Sequence, residues 1–169
     1  MNKITGTIIT LNAEKYILRA IESLKNISDE IIVLDSKSTD STRDIAKSAG
    51  AKVYTQEFLG DGPQKREASN YASNSWIFSL DADEYLDQDL IDFIKKTDLS
   101  NISYDSFAFR RKNYCADEWI KAAGFYPDYV TRLYDKSRVN YDSRADHAAV
   151  ISRNTLKTNC HIVHTTYES

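Results

Sequence analysis

The chain has 169 residues, 41% hydrophobic and 28% charged, with 5 Gly and 2 Pro, which excludes collagen-like, linker-like and disordered classes. A chain of this length buries roughly 70% of its unfolded surface and needs neither disulfides nor a structural metal, so one domain over residues 1–169 is expected. The formal net charge of −3, with Arg110-Arg111-Lys112 as the one tight basic cluster, excludes a nucleic-acid-binding stripe. Cys115 and Cys160 make no disulfide scaffold. No signal peptide or membrane-length apolar stretch is visible, and a soluble protein of the reducing cytosol is expected.

The first hundred residues alternate strand and helix patterns. Ile4 to Thr10 is β-branched at most positions and reads as a strand. Asn12 is placed to cap a helix whose Ile17, Ala20, Ile21 and Leu24 share one face. Glu30 to Asp35 is a continuous apolar run suited to a strand buried on both sides. Ser38, Thr39 and Asp40 offer caps for a second helix, with Ile45, Ala46 and Ala49 inward and Gly50 as its stop. Lys52 to Thr55 is a third strand. A turn at Gly60-Asp61-Gly62-Pro63 precedes a helix from Gln64 to about Ser73. Trp76 to Leu80 is the next strand, ended by Asp81-Ala82-Asp83-Glu84. A helix from Asp89 to Lys96 turns Leu90, Ile91, Phe93 and Ile94 inward. This order predicts βαβ units and a mainly parallel sheet. Beyond residue 100 the helical period fades, and Ser106–Arg111, Val130–Tyr134, Val139–Tyr141 and His161–Thr165 are short strands expected to extend the sheet, some antiparallel.

Ligands of open α/β sheets bind beyond the carboxyl ends of the strands, where strand order reverses. Three such ends carry polar residues, namely Thr10-Leu11-Asn12, Asp35-Ser36 and Asp81-Ala82-Asp83, and two precede helix N-termini whose N–H groups favour phosphate. On an extended segment Asp81 and Asp83 point to one side, and two close carboxylates call for a cation such as Mg²⁺ or Mn²⁺. The plainer reading is a solvated loop. Asp35 is suited either to bind a base or ribose or to satisfy a local turn. Lys65 and Arg66 open a helix, where a cation wants a nearby anion or exposure to water. Cys160-His161-x-x-His164 lacks the second cluster a zinc site needs. Tyr114, Trp119, Phe125, Tyr126, Tyr129 and Tyr134 suit sugar stacking or core filling.

These motifs, in order, resemble family 2 glycosyltransferases: Thr10-Leu11-Asn12-x-Glu14; Val33-Leu34-Asp35-Ser36-x-Ser38-Thr39-Asp40-x-Thr42; Gly62-Pro63-Gln64-Lys65; Trp76-x-x-Ser79-Leu80-Asp81-Ala82-Asp83-Glu84. Phe125-Tyr126-Pro127-Asp128-Tyr129-x-x-Arg132-Leu133-Tyr134 and His164-x-x-Tyr167 look like the lipopolysaccharide core β-glucosyltransferase branch. The resemblance implies a GT-A fold: a Rossmann-like, mixed, mainly parallel sheet flanked by helices, with residues 1–100 on the donor side and 101–169 on the acceptor side. It further implies a UDP-sugar donor, Mn²⁺ or Mg²⁺, inversion at the anomeric carbon, a saccharide or glycolipid acceptor, and a cytoplasmic location with peripheral contact at the inner membrane face. Carried over by position, Thr10, Asn12, Glu14, Asp35, Ser36, Lys65, Asp81, Ala82 and Asp83 bind the nucleotide-sugar, Asp83 and His164 the metal, and Tyr126, Asp128, Arg132 and His147 face the acceptor.

The branch shows a His-Glu pair late in the chain. Here Arg144-Ala145-Asp146-His147-Ala148 places Ala148 where the base carboxylate is expected, and Asp146 is the substitute candidate. The chain also stops soon after Tyr167, where family members usually continue into helices, so both truncation and a minimal member stand as readings. Two other functions stand as alternatives: a non-catalytic nucleotide-sugar-binding module, and a phosphatase using an aspartate nucleophile.

Overall fold

A computed structural model describes residues 2–124, 126–144 and 148–165. Among the described residues nine strands form one sheet in the order β3-β2-β1-β4-β8-β6-β9-β5, with β7 paired to β6. Four parallel strands make one half: β1 (Ile4–Thr10), β2 (Glu30–Asp35), β3 (Lys52–Thr55) and β4 (Trp76–Asp81). The chain steps outward from β1 to β3 and then returns to lay β4 on the other side of β1. Strand order therefore reverses between β1 and β4, and Asp81 ends beside Ile9 at that switch point. The second half is mixed. β8 (Tyr129–Asp135) runs antiparallel to β4, β6 (Ser106–Cys115) antiparallel to β8, β9 (Thr155–Thr165) parallel to β6, and β5 (Glu84–Leu86) antiparallel to β9.

Helices follow the apolar patterns. α1 (Ile17–Leu24) buries Ile17, Ala20, Ile21 and Leu24, and Leu24 lies over Gly6, where an added Cβ would meet its Cδ1 at 2.9 Å. Asn12 does not cap α1. The residue preceding α1 is Tyr16, and Asn12, at φ 49°, bonds instead to the next loop. α2 (Thr42–Ser48) stops at Gly50, whose φ of 95° lets its N–H reach Lys47 O while Ala51 N–H reaches Ala46 O, a Schellman closure. α4 (Gln88–Lys96) is capped by Asp87 and buries Leu90, Ile91 and Ile94, while Phe93 sets its ring against Phe107 and Phe109.

α3 departs from expectation. It spans Asp61–Asn70, so Pro63 lies inside its first turn, where a missing N–H has no helical partner to lose. Its buried residues are Gly62, Gln64, Lys65, Ala68 and Ser69, a largely polar face that no hydrophobic period would reveal. The expected strand at Val139–Tyr141 reduces to one bridge, Tyr141 to Val150. Two short strands, β5 and β7 (Glu118–Trp119), escaped the sequence reading because each is too brief to show alternation. No helix among the described residues is long and apolar enough to cross a membrane.

Candidate functional site

The loops after β1 and β2 are tied together at the carboxyl end of the sheet. Asn12 N–H donates to Ser38 Oγ (2.8 Å), Ala13 N–H to Thr42 Oγ1 (2.8 Å) and Glu14 N–H to Asp40 Oδ2 (3.3 Å). In return Thr39 N–H donates to Asn12 Oδ1 (2.8 Å) and Ser41 N–H to Glu14 Oε2 (2.9 Å). These bonds occupy loop N–H groups ahead of α1 and α2 with side chains of the opposite loop. Asp35 follows the turn reading: it is fully buried, and its carboxylate accepts from Ser38 N–H (2.7 Å) and Ser38 Oγ (2.5 Å), with no open edge for a base or ribose. Ser36 Oγ accepts from Gln64 Nε2 (3.2 Å) of α3. Thr10 is buried beside Asp35, its hydroxyl without a hydrogen-bond partner among the described residues.

The acidic tip of β4 is not extended. Asp81 ends the strand, Ala82 and Asp83 form a turn, and Glu84 begins β5. The turn interrupts the two-residue alternation that would aim both carboxylates at one point. Asp81 Oδ1 meets Lys65 Nζ at 3.0 Å and its Oδ2 meets Arg132 at 3.4 Å. Burial works to raise the Asp81 pKa, but Arg132 and Lys65 outweigh it and hold the carboxyl well below the usual range. Lys65 is 5% exposed and lies over the Tyr141 ring, so its charge is committed to the tip rather than held at an open helix end.

Arg132 was expected to face the acceptor; it lies beneath the tip, 4% exposed. Against β6, Thr131 pairs with Ala108 and Leu133 with Phe107, so Arg132 is the extra residue of a bulge in β8. That bulge aims its guanidinium at Ser79 O (3.2 Å) and Glu84, at 3.0 and 3.1 Å. Glu84, missed by sequence reasoning, is 1% exposed and braces the turn by accepting from Asp81 N–H (2.8 Å). Arg111 joins Glu84 (3.3 Å) to Asp128 (2.8 Å), and Asn113 donates to Asp128 at 3.0 Å. Burial works to raise the Asp128 pKa, and the Asn113 and Arg111 bonds bring it below the ordinary value. Three cations therefore face three carboxylates in one balanced network: Lys65, Arg111 and Arg132 against Asp81, Glu84 and Asp128.

The remaining acid of the tip has a different partner. Asp83 Oδ2 lies 3.1 Å from His164 Nε2, with both side chains partly exposed. His164 Nδ1 lies 2.9 Å from Asn113 Oδ1, which orients the ring. The Asp83 bond raises the His164 pKa, with burial opposing. The structure thus brings together the two residues expected to ligate a metal. His161, an odd number of residues earlier on β9, projects to the other side and bonds Asp89 Oδ2 (2.7 Å) and Tyr126 Oη (2.9 Å). Tyr126 therefore does not join Asp128 at the tip.

Among the described residues, one trio of acidic, His or Cys side chains brings its ligand atoms within 4.8 Å of one another: Asp87, Asp89 and His161, with Lys112 2.7 Å from Asp87. Asp146, His147, Phe125 and Tyr167 lie outside the described residues. Two hollows, of about 720 and 480 Å³, sit at the amino ends of the parallel strands beside Trp76, Asp29 and Ser73, away from the switch point. The charged groups converge instead at the carboxyl ends.

The chain is similar to known proteins in sequence and in fold. The family description "Glycosyl transferase family 2" matches residues 7–159. An uncharacterized glycosyltransferase of Rickettsia typhi is 41% identical over 145 residues, 83% of this chain and 49% of that protein. LpsC of Rhizobium meliloti, a lipopolysaccharide core biosynthesis glycosyltransferase, is 29% identical over 159 residues, 88% of this chain and 57% of that protein. The chain spans about half the length of the first of these relatives. The crystal structure of S. aureus TarS 1-349 with UDP-GlcNAc superposes with a TM-score of 0.65 at 18% identity, over 99% of this chain and 60% of that one. That of Mycobacterium tuberculosis glucosyl-3-phosphoglycerate synthase with Mn²⁺, UDP and glucosyl-3-phosphoglycerate gives 0.54 at 22%, over 66% and 44%. These structural likenesses establish the GT-A fold, and the family match overturns the phosphatase reading. The chain belongs to glycosyltransferase family 2.

Proposed function

We propose that this chain binds a UDP-sugar through a divalent cation and, within an inverting glycosyltransferase, passes a hexose to a saccharide or glycolipid acceptor during synthesis of cell-surface polysaccharide or lipopolysaccharide. The Asp83–His164 pair carries the reading. When Nδ1–H is given to Asn113, the neutral ring presents a lone pair at Nε2 toward a carboxylate oxygen 3.1 Å away. Two acceptors that close need a proton or a cation between them. One oxygen and one imidazole nitrogen suit Mn²⁺, and Mg²⁺ more weakly. When bound, such an ion stabilises the charge that develops on a departing diphosphate.

The balanced network below supports the same reading. Lys65, Arg111 and Arg132 are each matched by a carboxylate, so they hold no surplus charge to offer a diphosphate. Asp81 is positioned by Lys65 and Arg132 to meet the ribose or sugar, and Thr10, Asn12, Glu14 and Ser36 frame the donor loop. The TarS complex with UDP-GlcNAc and the LpsC likeness agree with a nucleotide-sugar donor and a surface glycan. Asp146 is the base in this proposal, with Asp128 and His147 toward the acceptor. The implied location is the cytoplasm, with peripheral contact at the inner membrane face.

Calorimetric titration of UDP with and without Mn²⁺ tests the donor half. Binding that requires the ion, and that disappears in Asp83→Ala, is expected; equal affinity in all conditions refutes it. Asp146→Asn should retain UDP binding and lose sugar transfer. Donor binding with neither hydrolysis nor transfer in the unaltered chain would favour the non-catalytic module instead.

A further inference from the structure

Along β6, Arg111 and Asn113 turn toward the tip, while Arg110 and Lys112 take the alternate side of the pleat and meet aromatic rings. Trp119 and Tyr126 pack edge to face with centroids 5.1 Å apart. Cations lie over this run of rings. Lys121 Nζ is 4.1 Å from the Trp119 centroid, Arg110 is 5.9 and 5.7 Å from Tyr126 and Tyr129, and Lys157 Nζ is 4.9 Å from Tyr129. Lys112 is neutralised by Asp87, and Arg111 by Glu84 and Asp128, but Arg110, Lys121 and Lys157 have no carboxylate partner among the described residues. A ledge of half-exposed rings carrying three cations without a bonded carboxylate thus stands on a chain whose net charge is −3, with Asp89, Asp117 and Glu118 exposed beside it.

The two chemistries together select a ligand class. Ring faces accept the C–H faces of a pyranose, and unmatched cations favour an anion. A bilayer is disfavoured, because the strongly exposed large hydrophobics Leu11, Leu18, Phe58, Leu59 and Ile151 are all outside the ledge and nothing there is built to insert. Three cations, with Asp87 and Asp89 alongside, are also too few for the phosphate row of a nucleic acid. We propose that the ledge binds an acidic saccharide, its rings on Trp119 and Tyr126 and its carboxylate or phosphate on Arg110, Lys121 and Lys157, independently of the Asp83–His164 pair.

The test is calorimetric titration of the whole chain with hexagalacturonate, with maltohexaose bearing a terminal phosphate, and with neutral maltohexaose, alongside anionic vesicles and single-stranded RNA. At least one acidic sugar should bind saturably and more weakly in high salt. Trp119→Ala and the exposed pair Lys121→Ala/Lys157→Ala should each weaken it about tenfold, roughly one stacking or paired-charge contribution. Circular dichroism checks that the lysine pair leaves the fold intact. Asp83→Ala should leave acidic-sugar binding unchanged, and Trp119→Ala should leave Mn²⁺-dependent UDP binding unchanged, so failure of the donor reading and failure of the ledge are distinguishable. Binding of neither acidic sugar, equal binding of neutral maltohexaose, indifference to both variants, or preference for vesicles or RNA would each overturn the proposal.

Discussion

Arg132→Met replaces a buried guanidinium with an apolar chain of similar length. The native side chain is 5% exposed and reaches Ser79 O, Asp81 and both oxygens of Glu84 at 3.0 to 3.4 Å. Without it Glu84, fully buried at its side chain, keeps among the described residues only Arg111 at 3.3 Å and the Asp81 N–H, and Asp81 keeps only Lys65. Breaking a buried pair by removing one partner costs about 3–5 kcal/mol. The remaining cations place this case near the lower end, at about 3 kcal/mol, a large share of the ~5–15 kcal/mol that holds a domain together. Urea denaturation followed by circular dichroism measures it. In a cycle with Glu84→Gln, the double variant should cost less than the sum of the singles by about 1.5–3 kcal/mol, because the second change removes the charge that the first leaves unpaired. Additivity within about 0.5 kcal/mol, or a single-variant cost below about 1 kcal/mol, would refute the claim that one coupled network supports the tip.

Three other outcomes follow from the geometry. His164→Ala should reduce Mn²⁺ affinity by about 10-fold or more, the scale of losing a ligand or its orienting shell, with no comparable change in urea midpoint; unchanged Mn²⁺ titration would remove His164 from the metal site. Glu30 is held at about 2 against an ordinary 4.5: burial works to raise it, and bonds from Lys52, Ser73 and Thr5 prevail. Because the folded pKa is depressed, its stabilisation is present above about pH 4.5 and lost as pH falls toward 2. Discounted for the 59% exposed Lys52, that is about 1–2 kcal/mol, and Glu30→Gln should flatten this part of the stability–pH curve; an unchanged slope would contradict the assignment. Gly6→Ala places a methyl 2.9 Å from Leu24 Cδ1 and should cost about 1–3 kcal/mol in thermal or urea unfolding, less in a Leu24→Ala background. Equal cost in both backgrounds would mean that the contact is not the cause.

The strands and helices of the first hundred residues were legible because each leaves a local signature. β2 is a short apolar run, α1 repeats Ile17, Ala20, Ile21 and Leu24 on one face, and Gly50 marks a left-handed stop. α3 was displaced because its buried side is polar, serving the tip rather than the core. In the second half, a long β6 was visible only in part. Its outer residues alternate between two surfaces that are both polar, so no hydrophobic pattern separates Arg111 from Arg110.

The order of motifs by itself determined the family and the fold, since strand ends and motif spacing are properties of the linear chain, and the resemblance they carry named Asp83 and His164 as candidate ligands. Which charge answers which was decided only in three dimensions. A bulge in β8 turns Arg132 under the tip, a turn at Ala82 and Asp83 breaks the alternation between the two aspartates, and β6 brings Arg111 and Asn113 to the same place from about thirty residues away. Side-chain direction depends on register and local twist, and an ion pair depends on distances between strands that no stretch of sequence contains.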